Sequence, residues 1–190
     1  MNYKTCSFFG HRNVVETEEL KCKLTEVIED LIVNHNVLTF LFGSRSDFDS
    51  ICHLVVTELK EKYTEIKRIK YTCRHETCVL ESERAHWEKV YSFYKKAKVT
   101  LLGVEEEHGF KTKYTAGRLS YVERNQEMIN DSDYCVFYYD ENYKPPIRRV
   151  FQKGVGVNEY QPKSGTELAY NYAKQKKKTI INIYNKSSTE

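Results

Sequence analysis

The chain has 190 residues, with 30 Lys and Arg against 27 Asp and Glu and a formal net charge of +3. Hydrophobic types make up 40% and charged types 30%, which fits one globular domain and excludes a disordered chain. The near balance of charge argues against a nucleic-acid coat protein, and no apolar run approaches the ~20 residues of a membrane-spanning helix.

Met1 to Thr5 shows no signal-peptide pattern, so a cytoplasmic location is the default expectation. Cys6–Phe9 is an apolar run closed by Gly10-His11-Arg12, which predicts a buried strand and a tight turn. Leu20, Leu24, Val27, Ile28, Leu31 and Ile32 follow at spacings of three and four, the inner face of a helix ending near Asn34–Asn36. Val37–Phe42 is a second strand, ended by Gly43-Ser44-Arg45. Ser46 and Asp49 then stand in capping-box spacing at the head of a helix whose inner face is Phe48, Ile51, Leu54, Val55 and Leu59. Ile66–Tyr71 mixes apolar and basic residues and predicts a third strand nearer a sheet edge than the others.

Thr72–Ser82 reads as loop. It holds Cys73, His75 and Cys78, but the spacing is not a standard zinc set and no second Cys/His pair stands near, so no metal is expected. Cys6 and Cys135 fall in strand-like runs, Cys22 and Cys52 in helical patterns; reduced, mostly buried thiols are expected. Glu83–Lys96 is aromatic-rich, with Trp87, Val90, Tyr91 and Tyr94 at helical spacing. It predicts a helix belonging to the core or to a homodimer contact. Val99–Gly103 predicts a short fourth strand, and Glu105–Thr115 a polar loop. Ser120 and Glu123 form another capping pair before a helix with Arg124, Asn125, Met128 and Ile129. Tyr134–Tyr139 is the next strand, with Asp140 at its exit. Asn142–Gln161 contains Pro145, Pro146, Gly154, Gly156 and the pair Arg148-Arg149. It is long for a connection, and such segments are usually functional lids or partly disordered.

Lys163-Ser164-Gly165-Thr166-Glu167 opens a helix that should run to about Lys177, followed by the apolar run Thr179–Ile183. Ser164 and Glu167 again have capping-box spacing. The first amides of a helix carry partial positive charge and lack internal partners; Lys163 adds a full charge beside them, the outline of a phosphate site. Lys174–Lys178 ends this helix, where cations suit the dipole, and reads as a solvated end rather than a DNA patch. Asn185–Glu190 is a polar tail.

Strands alternating with helices predict a Rossmann-like α/β fold, with a mainly parallel sheet and helices on both faces, as a single domain over residues 1–184. Ligands of such folds bind beyond the carboxyl ends of the strands. The turns at Gly10-His11-Arg12 and Gly43-Ser44-Arg45, the exit at Asp140 and the helix start at Lys163-Ser164-Gly165-Thr166 should all meet there.

These residues, in this order, resemble the SLOG superfamily, the Rossmann-like group of the Smf/DprA proteins and the LOG phosphoribohydrolases, and more closely its YpsA-like bacterial branch. The marks are Phe9-Gly10-His11-Arg12, Phe42-Gly43-Ser44-Arg45 with Phe48-Asp49, Arg124-Asn125 before Met128-Ile129, and Ser164-Gly165-Thr166, spread over residues 5–184. The resemblance implies a nucleotide or nucleotide-derived ligand, bound by its phosphates and ribose, and adds Arg124 and Asn125 to the candidate site. LOG enzymes carry Gly-Gly-x-Gly-Thr-x-x-Glu with a catalytic glutamate. Aligning Gly165-Thr166 with that Gly-Thr puts Ala169 at the glutamate position and Pro162-Lys163 at the paired glycines.

Two functions follow as expectations. The favoured one is a sensor or sequestering protein for a nucleotide or nucleotide-derived ligand, signalling nucleotides included, needing no cofactor. The alternative is a LOG-like cleavage of the N-glycosidic bond of a nucleoside monophosphate, which needs a carboxylate beside the ribose. Of the acids near the rim, Asp47, Asp49 and Glu167 have capping or first-turn roles, which leaves Asp140 as the catalytic candidate. Membrane and nucleic-acid partners are not expected.

Overall fold

The computed structural model describes residues 3–43, 46–73, 104–110, 118–153 and 156–184. Six strands form an all-parallel sheet: β1 (Lys4–Gly10), β2 (Val37–Phe42), β3 (Lys67–Cys73), β4 (Glu106–Phe110), β5 (Tyr134–Tyr138) and β8 (Thr179–Asn182). Their order is β4-β3-β2-β1-β5-β8. Four described helices accompany them: α1 (Glu18–His35), α2 (Asp47–Lys62), α3 (Arg118–Asn130) and α4 (Gly165–Gln175). A separate antiparallel hairpin joins β6 (Arg148–Gln152) to β7 (Gly156–Tyr160).

The strands alternate their side chains between two apolar layers. Cys6, Phe8, Phe40, Phe42 and Val136 pack with α1 and α2 on one face. Phe9, Leu41, Cys135 and Phe137 pack with Met128 and Ile129 of α3 and Ala169 and Ala173 of α4 on the other. Both faces are therefore covered, which is why the central strands read as nearly continuous apolar runs. The fold is Rossmann-like, as the alternation predicts. Among the described residues no helix is long and apolar enough to cross a membrane.

Three details differ from the sequence reading. Glu106–Phe110, expected as loop, is an edge strand paired with β3. Its polarity suits an edge, where charge discourages further pairing, and the start of the strand is anchored by Arg68. That guanidinium is buried and grips Glu105 from Nε (3.1 Å) and Nη2 (2.6 Å), while Nη1 reaches Thr57 Oγ1 at 2.7 Å. β3 is accordingly one place in from the edge. Asn142–Gln161 is not all loop but carries the hairpin, held by the cross-strand pair Arg149–Glu159 (2.6 Å) and turned where Gly156 has φ +96°. Ser120 does not start its helix: α3 already runs at Arg118, leaving Ser120 fully buried inside it. The capping spacing marks a competent start, which upstream helical residues override. The expected aromatic helix at 83–96, the strand at 99–103, His75, Cys78 and the tail from 185 lie outside the described residues, as do Ser44 and Arg45.

Candidate functional site

β1 leads through β2 and β3 to β4 on one side of the sheet, and β5 and β8 lie on the other. The winding thus reverses between β1 and β5, and a crevice opens beyond the carboxyl ends of such a strand pair. Gly10, the last residue of β1, pairs with Tyr138, the last of β5. Gly10 fits because an added Cβ would stand 2.4 Å from Phe48, the fully buried residue of the first turn of α2. Side-chain-free backbone is what lets α2 close on the strand end.

Beyond Gly10 the turn is tied down on three sides. Thr166 Oγ1 donates to the Gly10 carbonyl at 2.8 Å, setting the start of α4 over the end of β1. The amide of Asp47 donates to the Arg12 carbonyl (2.9 Å), and the Asp47 carboxylate accepts from the Val14 amide (3.2 Å). The Asp140 amide donates to His11 Nε2 at 3.0 Å. An accepting Nε2 puts the proton of a neutral imidazole on Nδ1. Burial lowers the pKa of His11, outweighing the opposing pull of the Asp140 carboxylate. His11 therefore holds the turn to β5 as a neutral ring, packed against Tyr143 with ring centroids 4.5 Å apart.

A cavity of about 450 Å³ occupies this crevice. Gly10, His11 and Arg12 line it from β1, and Lys163, Ser164, Gly165 and Thr166 from the start of α4. Arg124 and Asn125 line it from α3. Ser164 caps α4 by accepting from the Glu167 amide at 2.9 Å, and Ser46, also on the wall, caps α2 by accepting from the Asp49 amide at 3.2 Å. Two helix N-termini thus face one space, with their partial positive charge. Arg124 is almost fully buried; its guanidinium lies 5.4 Å from the Tyr121 ring centre and donates to Asn125 Oδ1 at 3.2 Å.

Gly43 does not line the cavity but stands behind it. A Cβ there would meet the Tyr71 backbone carbonyl at 2.7 Å, so the close approach of β3 requires a glycine, with Met128 Sδ (3.1 Å) and Arg124 Cδ (3.2 Å) packed just beyond. Asp140 is likewise outside the wall. Its Oδ1 accepts from the Asn142 amide (2.9 Å) and its Oδ2 from the Tyr184 hydroxyl (3.1 Å). These bonds, the Asn142 amide foremost, hold its pKa below the ordinary aspartate value. The carboxylate is thus engaged by Asn142 and Tyr184 and is not among the residues that line the cavity.

Sequence reading missed Tyr121, Tyr143, Pro145, Arg148 and Pro162, which also line the cavity. Tyr121 stands three residues before Arg124, on the same helical face, and that spacing was a usable sign. The other four come from the long connection between β5 and α4, whose length was the only signal.

The charge balance is one-sided. Among the described residues, Arg12, Arg124, Arg148 and Lys163 line the cavity and no carboxylate does. Lys163 has Glu167 3.7 Å away as a partial counter-charge. No cluster of three or more His, Cys, Asp or Glu side chains suited to a metal occurs among the described residues. No protein-family model matches the chain, and a search of the curated proteins finds no significant match.

Proposed function

We propose that this cavity binds a nucleotide or nucleotide-derived molecule and that the protein acts as its sensor or sequestering partner, in the manner of the SLOG proteins the sequence resembles. The observation that carries the reading is the combination of four cationic side chains and two helix N-termini around one cavity, with no carboxylate among its described lining residues. Such a wall favours an anion. Tyr121, Tyr143 and two prolines give flat apolar surface beside the cations, suited to a base or ribose. Cleavage of a glycosidic bond would call for a carboxylate at the ribose; Asp140 is bound elsewhere, and Glu167 is engaged at the first turn of α4 beside Lys163.

Calorimetry with a panel of nucleoside monophosphates, dinucleotides and cyclic nucleotides tests the reading. Arg12 is exposed and its side chain has no hydrogen-bond or ion-pair partner among the described residues, so Arg12→Ala should leave stability unchanged. It should weaken the binding of any ligand found by roughly tenfold, the worth of one charge-assisted hydrogen bond. Unchanged affinity would remove the β1 turn from the site.

A further inference from the structure

The His11 imidazole is held by one of its two ring nitrogens. A backbone N–H can only donate, so the Asp140 amide 3.0 Å from Nε2 requires a lone pair there. Turning the ring over would put a carbon in that place and lose the bond. An imidazolium, protonated on both nitrogens, would set N–H against N–H and lose it too. The ring that keeps this bond is therefore the neutral tautomer with its proton on Nδ1. Ring contacts restrain its plane as well, with the Tyr143 centroid 4.5 Å and the Tyr139 centroid 6.1 Å away. Nδ1 makes no hydrogen bond to another described residue, and His11 stands in the cavity wall.

From this we infer that His11 offers the cavity an uncharged donor, Nδ1–H, and that the ligand binds with an acceptor oxygen, of a phosphate or of the ribose, against it. The inference rests on the nucleotide-binding reading and assigns a role within it. Such a donor bonds an anion or a hydroxyl without adding charge. It also leaves the ring no free lone pair, since Nε2 accepts from Asp140 and Nδ1 carries the proton. While the turn stays tied, His11 cannot take a proton from water or substrate. That removes the one histidine among the described lining residues from general-base duty. The charged and titratable groups about the ring are Asp140 and Tyr139 at the exit of β5, Tyr143 beyond them, and Arg12 in its own turn. Burial outweighs the Asp140 carboxylate and lowers the pKa of His11, so the donor keeps its form from pH 8 down to about 6.5.

The test is nitrogen-15 NMR of the full chain with labelled histidine, the His11 signals being assigned by their loss in His11→Asn. At pH 7.5 Nδ1 should carry the proton and Nε2 should not; the reverse tautomer, or averaging between the two, would overturn the inference. AMP, ATP, GMP, GTP, cyclic AMP, adenosine, guanosine and inorganic phosphate are then added in turn. With a compound that binds, the Nδ1–H signal should shift and exchange more slowly with solvent. A response to inorganic phosphate assigns the contact to phosphate; a response to nucleotide and nucleoside but not to phosphate assigns it to the ribose. A nucleotide that binds and leaves the signal unmoved would overturn the inference while leaving nucleotide binding standing.

Calorimetry on two variants separates the ring nitrogens. The Asn amide places an N–H near the Nδ1 position, and the Gln amide places an oxygen near the Nε2 position. His11→Asn should keep the affinity for the bound nucleotide within about threefold, whereas His11→Gln, which retains the tie to Asp140 without the donor, should lose roughly tenfold. Circular dichroism confirms that each variant is folded. The opposite order, or equal affinities, would overturn the inference by leaving His11 a role in the turn alone. Failure of every compound to bind would defeat the underlying reading as well.

Discussion

Two glycines of the site show how differently one residue type can act. Gly10 is walled in: a methyl group would overlap Phe48 at 2.4 Å, in a layer with no slack. Gly10→Ala should cost ~1–3 kcal/mol through overpacking, seen as a lower urea midpoint. Gly165 has nothing within 4 Å of the same added atom, and it is the first residue of α4 on the cavity wall. Gly165→Ala should leave the midpoint unchanged or raise it slightly, since alanine loses less chain entropy on folding, while weakening ligand binding. A gain in affinity there would show that the ligand does not approach the start of α4. The sequence presents Gly10 and Gly165 as alike, each a small residue in a turn; only the position of Phe48 separates them.

A second residue-scale prediction concerns His53 of α2. It is 2% exposed, neither ring nitrogen has a hydrogen-bond partner among the described residues, and its ring stands edge-on to Phe42 at 4.7 Å. Burial, reinforced by the nearby Arg68 charge, lowers its pKa from 6.5 to about 4. The unfolded chain therefore takes up this proton near pH 6.5 and the folded one only near pH 4. Stability is complete above pH 6.5 and falls as the pH drops through that window, by ~3 kcal/mol at the bottom of it. His11, whose pKa is also lowered, pulls in the same direction. Urea midpoints at pH 7.5 and 5 should differ in the native protein and differ less in His53→Leu; an equal pH dependence in both would show that His53 is not the source.

Among the elements, α4 carries the site most directly. Its cap was legible because the signal is local: a serine, three residues, and an acceptor spacing that the backbone alone enforces. Ser164→Ala removes the bond to the Glu167 amide and should cost ~1 kcal/mol, with a matching drop in thermal midpoint. A loss of binding beyond that cost would mean that Ser164 also touches ligand. Strand β4 and the β6–β7 hairpin were not legible, for a different reason. Strand propensity is read from apolar alternation, and Glu106–Phe110 takes its stability from non-local partners: backbone pairing to β3 and the ion pair of Glu106 with Lys67. The hairpin exposes apolar side chains on both faces, Val150 and Tyr160 on one, Phe151 and Val157 on the other. Alternation thus vanishes from its sequence, and its prolines and glycines read as loop. Arg148 went unassigned with it.

At the scale of the whole molecule, the alternation of elements was enough to predict a parallel sheet with both faces covered, because two-sided burial makes Val37–Phe42 and Tyr134–Tyr138 continuously apolar. Strand order was not in the pattern. It depends on which way the chain turns after β4, and that choice places β5 beside β1 and brings His11 to the backbone of Asp140. The same choice decides the fate of Asp140. Exit from a strand at the ligand edge suggested a catalytic acid, but the residues that follow, Asn142 and distant Tyr184, bind its carboxylate outside the cavity wall. The proposed anion site of Arg12, Arg124, Arg148 and Lys163 has no carboxylate among its described lining residues, which supports the proposal that it holds a nucleotide rather than splits one.

Incubating the pure protein with mono-, di- and triphosphate nucleosides, dinucleotides and cyclic nucleotides, separating bound from free, and chromatographing the bound fraction tests this most directly. At least one nucleotide should be retained and recovered intact after prolonged incubation, with retention lowered in Arg12→Ala. Release of free base in proportion to the protein present, abolished in Asp140→Asn, would contradict it, and so would the failure of every compound to be retained.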